Sequence, residues 1–240
     1  GRISFCGVPA ECVTTADTES NLSFEVGVKS ILAENRLRLN LTAYVFEMSD
    51  QQLTAVGGEE NTARLLNADT TKGHGLEADI EWVPSGNWFM TFGASWNPTE
   101  IDDEDLTVIP CGGGCTVTDP VVDGLAFING NSLPHAPEYI LNGIINFQSD
   151  PVKKSLFGSL DFAYQSEKHF FLYDSVEFVS SAFELGMRLG YAWHNTQYEV
   201  ALFGRNITDA EIVRNGIDFN NLTGMMNDPR IIGVEFVARF

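Results

Sequence analysis

Arg230-Ile-Ile-Gly-Val-Glu-Phe-Val-Ala-Arg-Phe240 closes the sequence. Ile232, Val234, Phe236, Ala238 and Phe240 alternate with Ile231, Gly233, Glu235, Val237 and Arg239. Alternation with a period of two over that length predicts a β-strand with one apolar face. The strand runs straight into a terminal aromatic residue, so Phe240 reads as a genuine C-terminus.

Working backwards, the same rhythm recurs eight more times. Candidate strands cover residues 22–32, 36–46, 74–83, 87–96, 138–148, 155–165, 182–193 and 197–206. Each is close to the roughly ten residues a tilted strand needs to cross a bilayer. Their connections alternate. Short ones fall at 33–35, 84–86, 149–154 and 194–196. Long polar ones fall at about 47–73, 97–137, 166–181 and 207–229. Connections in compact domains cluster near about 4–6 residues. Tight turns on one side and long loops on the other belong to an outer-membrane barrel.

The faces agree. One carries Leu, Val, Phe, Met and Trp. The other carries Arg36, Arg38, Glu77, Asp79, Glu81, Asp161, Glu184, Arg188, Glu199, Arg205, Glu235 and Arg239. An Arg or Lys facing lipid at the midplane costs about 2–4 kcal/mol, so these positions are candidates for a wet lumen. Trp82, Tyr191 and Trp193 adjoin short turns, where an interfacial aromatic girdle is expected. Two-faced strands also build β-sandwiches with the apolar face inward. Strand length, loop alternation and the final Phe favour the all-β, antiparallel transmembrane barrel.

Composition narrows the function. Lys+Arg 14 against Asp+Glu 33 gives a net charge of -19. That excludes nucleic acid, which needs a basic face, and docking on an anionic inner leaflet. No apolar run of about 18 residues is present for a membrane helix. A signal peptide is also missing from the start, so the chain is expected to begin mid-protein. Cys6/Cys12 and Cys111/Cys115 are close pairs in loop-like sequence and are expected to be disulfides of an oxidising compartment. Zinc would want different spacing or a nearby histidine.

Several chemical motifs dissolve on inspection. Gly73-His-Gly-Leu-Glu-Ala78 has the letters of a dinucleotide fingerprint, but a strand follows it instead of a helix. A glycine kink opening a strand is the expected reading. Glu100, Asp102, Asp103, Glu104 and Asp105 lack the spacing of a calcium loop and predict a solvated acidic face. Glu77, Asp79 and Glu81 share one strand face at regular steps, as a lumen lining would. The four histidines have no serine or cysteine partner in a recognisable arrangement. No enzyme, metal or cofactor is expected. Phe170, Phe171 and Tyr173 are loop aromatics that suit an apolar or sugar ligand, or a rim girdle.

Five segments carry a family resemblance. Phe24-Glu-Val-Gly-Val-Lys29, Lys72-Gly-His-Gly-Leu-Glu77, Leu133-Pro-His-Ala-Pro137, Gly204-Arg-Asn-Ile-Thr-Asp209 and Asp228-Pro-Arg-Ile-Ile-Gly233 occur in order. His135 stands where Asn is common. Together they resemble the C-terminal part of the barrel of TonB-dependent outer-membrane receptors, over about residues 20–240. The resemblance implies a 22-strand barrel with an N-terminal plug. Residues 1–21 would then be an outer-loop remnant, and 22–240 the last nine strands. Such a piece has two unpaired strand edges and is not expected to insert alone.

The implied function is active uptake of a scarce ligand across the bacterial cell outer membrane. Iron-siderophores, cobalamin and oligosaccharides are the ligand classes. The implied partners are outer-membrane lipid, the TonB complex reached through the plug region, and the barrel assembly machinery, with Phe240 as the assembly signal. A passive porin-like or structural barrel, or a secreted β-sandwich binding module, is the competing expectation.

Overall fold

The computed structural model describes residues 16–57, 62–149, 155–218 and 222–240. In chain order the strands are β1 (Ser20–Leu32), β2 (Leu37–Gly57), β3 (Thr62–Trp82), β4 (Trp88–Trp96), β5 (Thr99–Asp102), β6 (Thr107–Val108), β7 (Val121–Val122), β8 (Leu125–Phe127), β9 (Tyr139–Gln148), β10 (Ser155–His169), β11 (Val179–Trp193), β12 (Tyr198–Arg205), β13 (Val213–Asp218), β14 (Leu222–Met226) and β15 (Ile231–Ala238). The long strands form one antiparallel sheet in the order β1-β2-β3-β4-β9-β10-β11-β12-β15, with β5 added beside β3. The nine expected strands are these nine, and β1 and β15 are the sheet's edges.

Registers fix the two faces. Arg38 lies opposite Glu81 and Asn40 opposite Asp79. Ser159 lies opposite Arg188, and Ala201 opposite Glu235. The polar positions therefore share one face across the sheet. The other face holds exposed Val26, Leu41, Leu76, Leu160, Leu189, Leu202 and Val234. Near the short turns it carries aromatic contacts. Trp88 meets Phe147 at 4.7 Å, Trp193 meets Tyr198 at 5.8 Å, and Tyr198 meets Phe236 at 6.5 Å between ring centroids.

Glycines in the strands sit under aromatic rings of the neighbouring strand. Gly73 pairs with Phe46 and Gly75 with Tyr44. Gly143 pairs with Phe162, Gly190 with Phe157 and Gly233 with Phe203. A Cβ at Gly75, Gly143 or Gly233 would lie 2.6 Å from a carbon of its partner ring. This corrects the expected kink at Gly73: it lies within the 21-residue β3, where absence of a side chain makes room for Phe46.

The long connections are more ordered than their polarity predicts. Residues 47–73 are mostly the outer halves of β2 and β3, paired from Leu37↔Trp82 to Gly57↔Thr62. Residues 97–137 hold β5 and the small β6-β8-β7 sheet, and residues 207–229 hold the β13–β14 hairpin. Their apolar side chains pack together as a cap. Leu53, Ala68, Ile101, Val108, Ile128, Phe170, Leu172, Tyr173 and Phe178 form its core.

Candidate ligand path: the charged face and its loop cap

On the charged face, alternation alone places the side chains; their pairing follows from register. Near the short turns, Arg38 approaches Glu81 at 3.3 Å. Across β11, β12 and β15 a four-residue network forms. Arg188 pairs with Glu235 at 2.8 Å and approaches Glu199 at 3.8 Å, and Glu199 also pairs with Arg239. The Arg188 guanidinium lies over the Phe157 ring, 4.6 Å from its centroid. Exposed pairs of this kind are worth about 0–1 kcal/mol each, so they set the shape and charge of the face more than its stability.

The other expected positions are distributed along the same face. Glu77 stands opposite Thr42 and Ser95, and Asp79 opposite Asn40 and Gly93. Asp161 lies opposite Ile144 and covers Gly186, whose Cβ would meet its Oδ2 at 2.6 Å. Arg205 ends β12 opposite Ile231. Arg36 departs from the expectation. It lies in the β1–β2 turn, donating from Nε to the Ala33 carbonyl at 3.1 Å and from Nη1 to the Pro84 carbonyl at 3.4 Å. A guanidinium beside exposed turn carbonyls finds acceptors there, so it braces two turns instead of facing along the sheet.

The cap folds over the outer end of this face. Glu184, near the outer end of β11, receives Arg214 from β13 as an ion pair. Asn227 donates to its Oε1 at 3.3 Å. Two motifs close the base of that last loop. Asn206 donates to the carbonyls of Ala210 and Asp228 at 3.0 and 3.1 Å. Arg230 pairs with Asp209 at 3.1 Å.

The two preceding loops are joined by a polar cluster. Asn131 Nδ2 donates to both oxygens of Asp119, at 3.2 and 3.1 Å, and to the Leu172 carbonyl at 3.0 Å. The Asp174 amide donates to Asp119 at 2.7 Å. Asp174 Oδ1 in turn lies 3.0 Å from His169 Nδ1, shut from solvent and off the line of a hydrogen bond. Asp174 holds the His169 imidazole above its usual pKa, with burial opposing. Burial raises the Asp119 carboxyl, against its hydrogen bonds. Glu177 accepts from Thr116 N and Oγ1 at 2.7 and 2.9 Å. Cys111 and Cys115 are disulfide-bonded within the first of these loops. Cys6 and Cys12 lie outside the described residues.

Two expectations change here. Phe170 and Tyr173 are 4% and 2% exposed, so they build the cap's core and do not present rings to a ligand. The Tyr173 hydroxyl donates to buried Asp218 Oδ2 at 2.8 Å. The acidic run is not uniformly solvated. Lys72 pairs with Glu100 and Asp102 at 3.3 and 2.9 Å. Asp103 is 8% exposed and accepts from the amides of Asp69 and Asp105 at 2.9 and 3.1 Å. Those bonds use its carboxylate to close a turn. Among the described residues no group of three His, Cys, Asp or Glu is arranged to hold a metal ion.

Sequence reasoning missed Lys168, Arg214, Asn131, Asp119 and Asn227. None lies on a regular period-two strand. Only tertiary pairing brings them to the face or into the cap.

Comparison with known proteins adds the wider frame. Residues 13–207 match the family described as TonB dependent receptor-like, beta-barrel. No curated protein matches the chain in sequence. Among solved structures, the chain is similar to the ferric yersiniabactin uptake receptor FyuA from Yersinia pestis. The TM-score is 0.66 at 18% identity, over 93% of this chain and 31% of that one. It is similar to the ferric-catecholate import receptor Fiu from K12 E. coli, with TM-score 0.64 at 16% identity, over 97% and 29%. It is also similar to the copper transporter OprC, with TM-score 0.60 at 12% identity, over 92% and 31%. The chain thus spans about a third of the length of these proteins.

Proposed function

The chain belongs to the TonB-dependent receptor-like β-barrel family, and on that footing we propose that it supplies the lumen wall and outer loops of an active-transport receptor. It is a protein of the bacterial outer membrane. The receptor takes up a scarce ligand with TonB-derived energy and does not transform it. Coupling to TonB is assigned to receptor regions other than these nine strands. FyuA, Fiu and OprC are named for ferric yersiniabactin, ferric catecholates and copper. The ligand classes proposed for this receptor are siderophore-bound iron, cobalamin or an oligosaccharide.

One observation carries the reading. The cap's last loop docks onto the charged face through Arg214, Asn227 and Glu184. Loops that fold inward over a polar wall suit a gated lumen, and the apolar face then meets lipid. On this reading Arg38, Glu77, Asp79, Glu81, Asp161, Glu184, Arg188, Glu199, Arg205, Glu235 and Arg239 line the lumen.

Uptake of labelled iron chelates, cobalamin and copper by cells expressing the full-length protein tests this. Accumulation that requires TonB supports active transport. Equal accumulation without TonB assigns a passive porin instead.

A further inference from the structure

A backbone amide nitrogen can attack the side-chain amide of the asparagine before it. Glycine, with no Cβ, shields that nitrogen least, and the reaction contributes to the thermal lability of asparagine. The sequence holds three such steps, Asn129-Gly130, Asn142-Gly143 and Asn215-Gly216. The fold treats them differently.

At the first step the two groups are held by other partners. Asn129 Oδ1 accepts from the Asp103 amide at 2.8 Å, and the Gly130 amide donates to the Ile101 carbonyl at 2.8 Å. At the second, Gly143 lies inside the sheet, paired with Phe92 on one side and Phe162 on the other. The Asn142 amide leans across β4, where a Cβ on Gly93 would lie 2.9 Å from its Nδ2. At the third, the two reacting groups meet. The Gly216 amide donates to Asn215 Oδ1 at 3.0 Å. Asn215 Cγ therefore stands beside the attacking nitrogen, near the roughly 3–3.5 Å of a near-attack arrangement. The register slip of β13 falls between Val213 and Asn215, and a bulge re-aims the side chains next to it. Asn215 is half-buried, within reach of water.

We propose that Asn215 is a site of spontaneous deamidation, selected from the three by the fold. Hydroxide takes the Gly216 amide proton, and the nitrogen attacks Asn215 Cγ. The N–Cγ bond forms, the Cγ–Nδ2 bond breaks, and Nδ2 leaves as ammonia with a proton from water, which regenerates hydroxide. A second water opens the resulting succinimide at either carbonyl carbon, giving aspartate or isoaspartate at position 215. The isoaspartate routes the backbone through Cβ and Cγ and so lengthens it just before Gly216. Gly216 is buried, and a Cβ there would lie 2.7 Å from a Phe178 ring carbon and 3.0 Å from one of Phe170. So close a fit has no room for a longer backbone. The β13–β14 hairpin then lifts from those rings, and the cap loosens as the protein ages. This goes beyond the transport reading and does not rest on it.

The test ages the full-length protein, purified from outer membranes, in neutral and mildly alkaline buffer and reads its peptides by mass spectrometry. The peptide holding Asn215 should gain the amide-to-acid mass difference roughly tenfold faster than those holding Asn129 and Asn142, well within what positioning a nucleophile supplies. Its rate should rise with pH, and an ammonia-loss succinimide should precede the acid. In the denatured protein the three steps should react at similar rates. Asn215→Gln cannot close the same ring and should stay unconverted. Amide exchange over residues 216–218 should quicken with age in wild type and hold constant in that variant. Heat-modifiable migration checks that each aged sample is folded. Conversion at Asn215 no faster than at Asn129 and Asn142 in the folded protein, or the same preference in the denatured chain, overturns the proposal. Conversion to isoaspartate without quickened exchange overturns the loosening of the cap.

Discussion

Tyr173→Phe removes one oxygen from the cap and is expected to loosen it measurably. Tyr173 and Asp218 are each 2% exposed, and their hydroxyl-to-carboxylate hydrogen bond spans 2.8 Å. Among the described residues Asp218 accepts no other hydrogen bond from a side chain. A hydrogen bond to a charged group contributes about 1.5–3 kcal/mol, and leaving a buried partner unsatisfied adds its desolvation cost. The expected loss is about 2–3 kcal/mol in the opening of the β13–β14 hairpin from the cap, not in the membrane sheet. At about 1.4 kcal/mol per factor of ten, amide exchange over residues 213–218 should quicken roughly 30- to 140-fold. Exchange in β9 to β12 should hold constant. Replacing both partners with apolar groups, Tyr173→Phe with Asp218→Leu, should recover most of the loss, since no orphaned carboxylate remains. Exchange within twofold of wild type for Tyr173→Phe, or a double variant worse than the single one, would refute this account of the cap.

The His169–Asp174 pair predicts a pH dependence. A His pKa raised in the folded state makes its contribution complete below the ordinary value of about 6.5, and loses it as pH rises through the folded value. Asp119, raised by burial, acts with the same sign but in the more acidic window of a carboxylate, below the range compared here, and Glu167 adds to the field on His169. Intrinsic-rate-corrected exchange over residues 174–178 should therefore be faster at alkaline than at mildly acidic pH, and His169→Gln should abolish the difference; an unchanged profile in that variant counts against the pair. Reducing Cys111–Cys115, which closes a loop with a sequence separation of 4, should cost the cap about 2 kcal/mol by loop entropy; thermal unfolding of the cap with and without reductant checks this. Gly190→Ala should impair assembly by about 1–3 kcal/mol of overpacking, because its Cβ would lie 2.6 Å from the Val200 carbonyl and against Phe157. Normal heat-modifiable yield of that variant would contradict the crowding.

Strand order, both faces and the short turns were legible because a bilayer strand repeats every second residue, and charge cannot sit toward lipid. Arg188, Glu199, Glu235 and Arg239 therefore fell on one face from sequence alone. What was not legible depends on departures from that period. A register shift between Gln165 and Lys168 moves Lys168 to the face its number denies it. Residues 47–57 and 62–73 look polar because they pair above the membrane, where no apolar face is required. Tyr173 looked available because burial in a loop core follows from three distant loops meeting. His135, where the family resemblance leads one to expect Asn, holds φ 60. That left-handed backbone favours Asn and tolerates His, so the departure leaves the loop geometry intact.

The rings seated over Gly73, Gly75, Gly143, Gly190 and Gly233 bear on how such a sheet is built. A slip of one residue between strands is rejected by lipid, since it turns charge outward. A slip of two keeps every face and every backbone bond. It would carry Phe157 from Gly190 onto Arg188 or Ala192, and Phe203 from Gly233 onto Ile231 or Glu235. Hydrogen bonding is blind to that error, but van der Waals contact is not. These pairs act as proofreading marks spaced along the sheet.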